Sequence, residues 1–579
     1  MSHLSTINAC KLLLFRRCLQ AVLLTVGIQF LLLTIFLLFV NFQLLRPLHW
    51  ISVTLSLVCS MYTWFASIPL VGAVVLYGVI LCQQHLAERL YCPTRFRWLV
   101  HYAPRKLLFL AAHLLVGYLT AWLYTGYMHT DYRHLWYKCY EQDCISAYHV
   151  YLLGMGIFAG CYYFVSVHMR QEVEIEFPIV NHLWGEKLRE VLYSSLARSL
   201  IKSLLPTLAY TLLFWLFGGV VCHKLSHIFA VDLDERLEGF FGVATNGRLL
   251  FYGWLLTSQI LSNMDLMRCF YSMFLSEEFP LAITKNRAAF VQEKEVTVVA
   301  ALGLSNVYVV QCLAAKYLYN LVTAGDSEKR SELFQLTEPG NRPANWRSLC
   351  DQCLSLFGNF TDELIDSMQK ISVLKGSPSS PPLTPISESA SASLMAERVL
   401  TRQYNQMHGI RSMVSPRSNA VIDRPVDRIH RVPDWCERTS MQLEQSLQLL
   451  INRIPGIVYM FTEPEGAKTT FLLTHSLPLV FVIQALSQIC VFSLTEDRYG
   501  VVQTDLPDII RSMSRLKGEL DKLSSVASNL RGPGSSFSVL RGAVRRSLFH
   551  ICVAFGEYLS ELIPSGEELH QLQTVINQE

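Results

Sequence analysis

Uncharged apolar runs dominate the first half of this chain and become scarce after about residue 277. About 20 helical residues, at ~1.5 Å each, cross a hydrocarbon layer of ~30 Å. Backbone amides must be hydrogen-bonded inside lipid, so each run is predicted to be a helix. The sequence therefore predicts an all-α membrane protein: six transmembrane helices, followed by a mostly helical C-terminal domain on the cytoplasmic side. The expected spans lie near residues 20–42, 63–83, 107–127, 148–168, 204–223 and 249–273.

A soluble core helix is the alternative interpretation of any single run. Such helices are usually shorter and carry a polar face, so six runs in series favour a membrane domain. The second run, Ile51 to Cys82, is long enough to contain an additional re-entrant element, and Pro69 is expected to kink it.

Basic residues are distributed unevenly among the segments that join the predicted spans. Alternate segments, beginning with the N-terminus, hold thirteen Lys and Arg residues, whereas the opposite segments hold six. By the positive-inside rule the N-terminus is cytoplasmic, and six spans return the second half of the chain to the same side. The first run is too long for the core of a signal peptide, so we expect it to remain as an anchor.

Composition divides the chain further. Residues 1–276 form the predicted transmembrane domain. Residues 277–372 show helical periodicity, with Asn345 as a candidate cap for a helix that begins at Trp346. Residues 373–435 are rich in Ser and Pro, which predicts a disordered linker. Residues 436–579 return to a helical pattern.

Three features of the second half carry specific predictions. An apolar stripe at three–four spacing is expected to pack in a helical core, with Pro507 in the first turn of its helix. Leu477 to Phe492 is about 16 residues long and interrupted by polar side chains, which favours a buried or membrane-grazing helix over a seventh span. The glycosylation sequon at Asn359 should then remain unmodified.

The predicted linker contains four serines or threonines that precede proline. A phosphate on such a residue adds roughly −1.5 to −2 charge, enough to change how a disordered segment docks. These dipeptides also arise by chance in Pro/Ser-rich segments. The candidate phosphorylation sites are Ser377, Ser380, Thr384 and Ser415.

Charge and cysteine content exclude several functions. A net charge of +3 gives no basis for direct nucleic-acid binding. Cys139 and Cys144 lie in a predicted lumenal loop, where an oxidising compartment would allow a disulfide; two free thiols are the alternative. Cys350 and Cys353 form a lone CxxC pair, which cannot complete a four-coordinate zinc site.

Catalytic motifs are missing from the sequence: there is no Walker loop, nucleophile elbow or HExxH zinc motif. We therefore expect no enzymatic activity and no cofactor. His113 is interpreted as a helix–helix hydrogen-bond partner, and Asp265 and Arg268, three residues apart, as a pair on one helix face. A transporter or channel with a regulatory tail is the alternative function, although such proteins usually place ionisable groups at mid-membrane.

Residues 186–203 combine a leucine stripe with four basic residues just before the fifth predicted span. Such a helix is able to lie in the headgroup layer, with membrane lipids as its partner, or to pack as an ordinary helix. The sequence leaves both readings open.

The sequence also resembles a known family. Residues 493–504, Ser-Leu-Thr-Glu-Asp-Arg-Tyr-Gly-Val-Val-Gln-Thr, followed by Leu506-Pro507, are similar to the signature of the Ndc (nuclear division cycle) family of transmembrane nucleoporins. The stretch from Glu338 to Trp346 resembles a second family motif. Within these stretches the matching residues are Trp346, Thr495, Glu496, Asp497, Arg498, Gly500, Gln503 and Pro507.

This resemblance implies a scaffold of the nuclear pore complex, anchored where the inner and outer nuclear membranes fuse, with both termini on the pore side. It implies that the cytoplasmic half tethers soluble nucleoporins, notably the WD-repeat protein ALADIN and inner-ring linker nucleoporins, and supports pore assembly. Residues 436–579 would carry partner binding. Trp346 and the segment 495–504 would be structurally central.

Overall fold

Helices make up most of the computed structural model of this protein. It describes residues 2–43, 45–139, 142–169, 175, 177–178, 183–229, 231–233, 242, 246–279, 281–283, 296–323, 327–336, 342–375, 459–526, 535–562, 570 and 572. The chain divides into two compact units. The larger comprises Met1–Tyr91, Trp98–Leu364 and Lys468–Glu579, and the smaller comprises Cys92–Arg97 and Ile365–Ala467.

The N-terminal half contains the long apolar helices. In chain order they are α1 (Ser2–Val40), α2 (Pro47–Val58), α3 (Met61–Leu86), α4 (Arg95–Thr125), the short α5 (Thr130–Arg133), α6 (Ala147–Tyr163) with a π-helical extension (Phe164–Met169), α7 (Trp184–Lys202), α8 (Leu204–Phe229) and α9 (Gly247–Leu275). A three-stranded sheet lies among them: β1 (Trp136–Cys139) pairs antiparallel with β2 (Gln142–Ile145), which pairs parallel with β3 (Asp232–Leu233).

Among the described residues, six helices are long and apolar enough to cross a membrane: Ile7–Val40, Met61–Leu86, Arg95–Thr125, Ala147–Met169, Trp184–Phe229 and Leu477–Glu496. The predicted class, an all-α protein with six candidate membrane helices, is confirmed. The set differs from the predicted spans in one member. Leu477–Glu496 meets the criterion, whereas α9 does not, because its apolar residues are interrupted by polar ones such as Gln259, Asn263 and Asp265.

The second apolar run is broken in two. Pro47 begins the 12-residue helix α2, since its missing amide hydrogen would be unpaired at a helix start anyway. The chain then turns at Cys59 and Ser60, and α3 starts at Met61 with Pro69 inside it. The 26 residues of α3, at ~1.5 Å each, extend about 39 Å.

Buried polar side chains join the N-terminal helices to one another. The amides of Gln29 on α1 and Asn263 on α9 exchange two hydrogen bonds, of 2.6 and 3.1 Å. The Tyr77 hydroxyl on α3 lies 3.2 Å from Nε2 of His113 on α4, which confirms the interpretation of His113 as a partner between helices. In an apolar surrounding, such pairs hold helices together because the alternative is an unpaired polar group.

Glycines bring α4 and α6 into close backbone contact. A methyl group added at Gly117 would overlap the carbonyl oxygen of Gly156, and one added at Gly160 would lie 2.5 Å from the carbonyl oxygen of His113. Small residues at such crossings allow two helices to approach more closely than larger side chains permit.

The C-terminal half contributes α10 (Val298–Leu302), α11 (Tyr308–Thr323), α12 (Ser327–Phe334), α13 (Ala344–Lys375), α14 (Ala467–Thr474), α15 (Leu477–Glu496), α16 (Val501–Val526), α17 (Ser536–Ala554) and α18 (Leu559–Leu562). Side-chain oxygens cap α10 and α17: Thr297 accepts from the amide of Ala300, and Ser535 from that of Ser538. The core includes the predicted apolar stripe, which is wholly buried: Ile509, Met513, Leu516, Leu520 and Leu523.

Two predictions of helix starts are wrong. Helix α13 begins at Ala344, and the Asn345 side chain donates to the carbonyl oxygen of Glu332 at 3.2 Å, so it ties α12 to α13 instead of capping. Pro507 lies inside α16, which begins at Val501. The helix starts six residues before Pro507, because the Asp497 carboxylate accepts from the amide of Val502 in its first turn.

Candidate functional site

Residues 493–507, which resemble the family signature and are called the family-like segment below, form the corner between α15 and α16. Oδ1 of Asp497 accepts from the amide of Tyr499 at 3.0 Å, and Oδ2 accepts from the amide of Val502 at 2.9 Å. The carboxylate therefore satisfies an amide at the start of α16, where negative charge is also favoured by the helix dipole. Gly500 has φ of +63°, a left-handed conformation that residues with a Cβ rarely adopt. The corner thus requires both residues.

Glu496 completes a largely buried ion pair at this corner. Its Oε1 and Oε2 accept from Nη2 and Nε of Arg330 on α12, at 2.7 and 3.2 Å. The guanidinium also lies 4.4 Å from the ring centroid of Phe492, on α15. The Arg330 side chain is 7% exposed and that of Glu496 is 19% exposed. This two-pronged geometry fixes the direction in which α12 meets α15.

Trp346 makes the second long-range connection. It is completely buried, and its indole Nε1 donates to Oδ2 of Asp505 on α16 at 2.8 Å. Its ring also lies beside that of Phe334, with centroids 6.4 Å apart. A side chain buried in this way holds α13 against α16 and has no surface to offer a partner. The geometry supports the structural role predicted for Trp346.

Other residues of the family-like segment lie at the surface of the same corner. Thr495, Arg498 and Gln503 are exposed, and Thr495 donates its hydroxyl hydrogen to the carbonyl oxygen of Phe492 at 3.1 Å. Tyr499 is 64% exposed. The segment therefore has a buried side that holds the helices and an outer side open to a partner.

A separate set of contacts joins the N-terminal helices to the C-terminal ones within the larger unit. Arg17 on α1 donates to the carbonyl oxygens of Glu277, at 2.7 Å, and of Glu278, and lies 5.2 Å from the ring centroid of Phe279. Nδ2 of Asn320, on α11, donates to Oε1 of Glu278 at 2.8 Å. Through Glu278, helix α1 is therefore connected to α11.

The loop after α3 makes a second connection of this kind. Arg89 lies 4.0 Å from the ring centroid of Tyr308, the first residue of α11. Tyr308 in turn lies 5.6 Å from His475, and Tyr91 lies 5.6 Å from Phe471 on α14. Cation–π and ring contacts of this sort contribute about 0.5–1.5 kcal/mol each.

Asp265 on α9 is paired with a basic side chain of its own helix and with a serine of a neighbouring helix. Asp265 accepts from Arg268 at 2.9 Å and from the hydroxyl of Ser195 on α7 at 2.9 Å, so the predicted pair on α9 forms. Ser195 and Ser199 are buried, and Trp254 on α9 donates to the carbonyl oxygen of Leu200. Helix α7 thus packs against α9, while Tyr193, Leu200 and Ile201 on it are exposed.

The structure places both cysteine pairs that the sequence singled out, Cys350 with Cys353 and Cys139 with Cys144. Cys350 and Cys353 are buried, and burial raises the pKa of the Cys350 thiol to about 12 and that of Cys353 further, so both are neutral thiols in the core. The strand register places Cys144 opposite Tyr137 and Cys139 opposite Gln142. In the backbone register the two cysteines are therefore two positions away from a directly opposite pair, and the side chain of Cys139 lies outside what the structure describes. Their pairing stays a prediction.

Some predicted sites lie outside the described residues. These are the linker sites Ser377, Ser380, Thr384 and Ser415, for which phosphorylation stays a prediction.

The sequence did not identify three residues that make long-range contacts in the structure: Arg17, Arg330 and Asp505. Arg330 had one usable signal, since it lies three and four residues before the buried Leu333 and Phe334 and therefore on the same face of its short polar helix. No comparable signal marks the contact of Arg17 with main-chain carbonyls 260 residues away.

These features define a class: a polytopic helical membrane protein whose C-terminal helices are held rigidly by buried polar contacts and joined to the membrane helices. The sequence model of the family described as "Nucleoporin protein Ndc1-Nup" matches residues 12–573. The chain is 98% identical over 579 residues to Nucleoporin Ndc1 of Drosophila pseudoobscura pseudoobscura, and 68% identical over 579 residues to Nucleoporin Ndc1 of Drosophila melanogaster, with all of each chain covered. It is 21% identical to human Nucleoporin NDC1, covering 93% of both chains.

The chain belongs to the Ndc1 family of nucleoporins. It is a multi-pass protein of the nuclear pore membrane, a structural component of the pore and not an enzyme, and it interacts with other nucleoporins. The resemblance inferred from residues 493–507 is confirmed.

Proposed function

We propose that this protein is a membrane-anchored scaffold that tethers soluble nucleoporins to the pore membrane and supports pore assembly in the nuclear envelope. The N-terminal helices serve as the anchor, and the C-terminal helices serve as the platform for partners. Both termini face the cytoplasmic, pore-side phase. The alternative of a transporter or channel has no specific observation in its favour.

The connection between anchor and platform carries this proposal. Arg17 holds the chain that leaves α9, and Arg89 holds the start of α11. A flexible tether needs no such contacts, because a linker alone keeps two parts together. Contacts at two places instead fix the orientation in which the platform is presented at the membrane surface.

Topology follows from which apolar helix enters the bilayer. Helix α9 has 29 residues, about 43 Å in length, and its buried surface packs against α1, α6, α7 and α8. Helix α15 packs against α11 and α17, neither of which is a candidate span, and about two-thirds of its most apolar window is buried in protein. We therefore assign α9 to the membrane and α15 to the platform. Six crossings then place both termini on one side.

Two readouts on the full-length protein test this topology. Proximity labelling from the C-terminus in living cells should mark pore-side nucleoporins and not lumenal proteins. The sequon at Asn359 lies on α13, in the platform, so digestion with an endoglycosidase should leave electrophoretic mobility unchanged. A glycan on Asn359 of the unmutated protein would place the platform in the lumen and refute the topology.

Partner binding is assigned to the platform, and within it to the outer side of the corner. ALADIN-type WD-repeat proteins and inner-ring linker nucleoporins are the proposed protein partners, and membrane lipids the partners of the anchor. Tyr499 is 64% exposed and Tyr558, elsewhere on the platform, is 54% exposed. Because both rings are largely in solvent, replacing either should leave the fold intact.

The two tyrosines therefore form a matched pair for a recruitment experiment. Full-length Tyr499→Ala is expected to recover less ALADIN-type protein or linker nucleoporin in a pull-down from cells, whereas Tyr558→Ala is expected to recover wild-type amounts. If both variants recover wild-type amounts of every tested nucleoporin, the corner is not the binding surface. If both variants also stay at the nuclear rim, the anchor function remains supported and only the assignment of the binding surface is refuted.

A further inference from the structure

Two thiols from different membrane helices meet near the basic end of α1. The Sγ atoms of Cys18 on α1 and Cys82 on α3 are 2.7 Å apart. Non-bonded heavy atoms settle at roughly 3.5–4.0 Å, whereas bonded sulfurs lie about 2.05 Å apart. Helices α1 and α3 therefore hold these side chains within the reach of a covalent bond, without any need for the backbone to move far.

We propose that Cys18 and Cys82 form a reversible disulfide that fastens α1 to α3 when the surrounding compartment becomes oxidising. In the reduced state both are free thiols, as they are in the structure. Both partners come from this one chain, so the bond requires no second copy and no partner protein.

A peroxide is the oxidant that the chemistry requires. The Cys82 thiolate attacks one peroxide oxygen, which forms a sulfenic acid on Cys82 and releases water or an alcohol. The Cys18 sulfur then attacks the sulfenic sulfur, forms the S–S bond and releases water. Two thiols lose two electrons and two protons, and the peroxide accepts both. A dithiol reductant reverses the reaction by thiol–disulfide exchange.

The exposure of each thiol determines which one reacts first, and the residues beside them make the pair accessible to the oxidant. Cys82 is half-buried, whereas Cys18 is only 4% exposed, so Cys82 is the thiol that meets the oxidant. Arg16 and Arg17 precede Cys18, and Gln83 and Gln84 follow Cys82. These polar flanks place the pair at the end of the apolar stretches, where a water-soluble peroxide has access. Reducing compartments keep such bonds transient.

The bond would act on the connection between anchor and platform. Arg17, the residue before Cys18, donates to the main chain of Glu277 and Glu278 just after α9. Fixing Cys18 to α3 removes freedom from α1 at this point, and therefore from the contact that orients the platform. Formation of the bond requires only the two sulfur atoms and does not depend on which nucleoporins bind.

A cleavable version of the full-length protein tests the bond directly. Leu45 is 95% exposed between α1 and α2, so a protease site inserted after it should be cut readily. The resulting N-terminal fragment contains only two cysteines, Cys10 and Cys18. The detergent-purified protein is treated with hydrogen peroxide, alkylated, cleaved and separated on a non-reducing denaturing gel. Cys10→Ser is the matched control, because Cys10 is also buried on α1.

After oxidation the fragment should remain attached to the rest of the chain in the unmutated protein and in Cys10→Ser. It should run free in Cys18→Ser, in Cys82→Ser and in every sample treated with dithiothreitol. Peptide mass spectrometry of the unmutated, uncleaved protein should show Cys18 and Cys82 peptides joined with the loss of two hydrogen atoms, a readout that does not rely on the variants folding.

The proposal is overturned if the fragment runs free in the oxidised unmutated protein while exposed Cys59 has lost its reactivity towards the alkylating agent. It is equally overturned if the fragment stays attached in Cys18→Ser, which would show that Cys10 makes the link, or in Cys82→Ser, which would show a different partner.

Discussion

Removing the carboxylate of Glu496 should destabilise the C-terminal helices strongly. The Arg330 side chain is 7% exposed in the intact protein, and it would lose the carboxylate that balances its charge. Breaking a buried ion pair at one partner costs about 3–5 kcal/mol. Glu496 retains some exposure and Arg330 keeps its place over Phe492, so we expect the lower end, about 3 kcal/mol, for Glu496→Ala. Domains unfold with about 5–15 kcal/mol in total, which makes this a large fraction.

Thermal unfolding of the full-length protein in detergent measures this loss. One kcal/mol shifts the Tm of a 150–250-residue domain by about 2–4 °C, so Glu496→Ala should lower the transition of the C-terminal helices by about 6–12 °C. Hydrogen exchange measured on individual peptides should show that this transition includes α12 and α15. Asp508→Ala is the matched control, since Asp508 pairs with Arg511 on the surface at 3.4 Å and should matter little.

A double substitution separates the ion pair from simple loss of packing. Arg330→Met removes the buried charge, so adding it to Glu496→Ala should restore part of the stability that Glu496→Ala lost. The reasoning fails if Glu496→Ala melts within 2 °C of the unmutated protein, or if Asp508→Ala loses as much.

Three further substitutions test other contacts by the same thermal measurement. Trp346→Phe keeps the buried ring but removes the indole N–H, and should cost about 1.5–3 kcal/mol because it leaves a carboxylate unpaired; no change would mean that water replaces the bond. Gly500→Ala should destabilise by about 1–2 kcal/mol because φ is +63°, whereas Gly518→Ala, in open space within α16, should stabilise by up to about 1 kcal/mol; equal effects would contradict the backbone argument. Gly117→Val should separate α4 from α6 and lower the temperature at which the detergent-solubilised protein aggregates, and an unchanged temperature would show that the crossing adapts.

The membrane helices could be predicted because length and hydrophobicity are local properties. Any segment that enters lipid must satisfy its own backbone, so an apolar run long enough to cross becomes a helix whatever its neighbours are. The break at Cys59 and the start of α3 at Met61 were less accessible, since the whole of Ile51 to Cys82 is uncharged.

Whether helix α15 lies in the membrane or in a protein core cannot be predicted from its own sequence. Leu477 to Phe492 has the same composition whether lipid or protein surrounds it, because lipid chains and apolar side chains are equally good surroundings for leucine and valine. Its contacts with α11 and α17 distinguish the two cases, and these exist only once the chain has folded.

The candidate site divides in the same way. The sequence by itself marked Trp346, Glu496, Asp497 and Gly500 through their likeness to a family signature, and it determined the helical, membrane-anchored class. Only the tertiary structure decided what these residues do, because the partners of Glu496 and Trp346 lie 166 and 159 residues away. Contacts at such separations leave no periodic trace in a sequence, whereas hydrophobic patterning along one helix does.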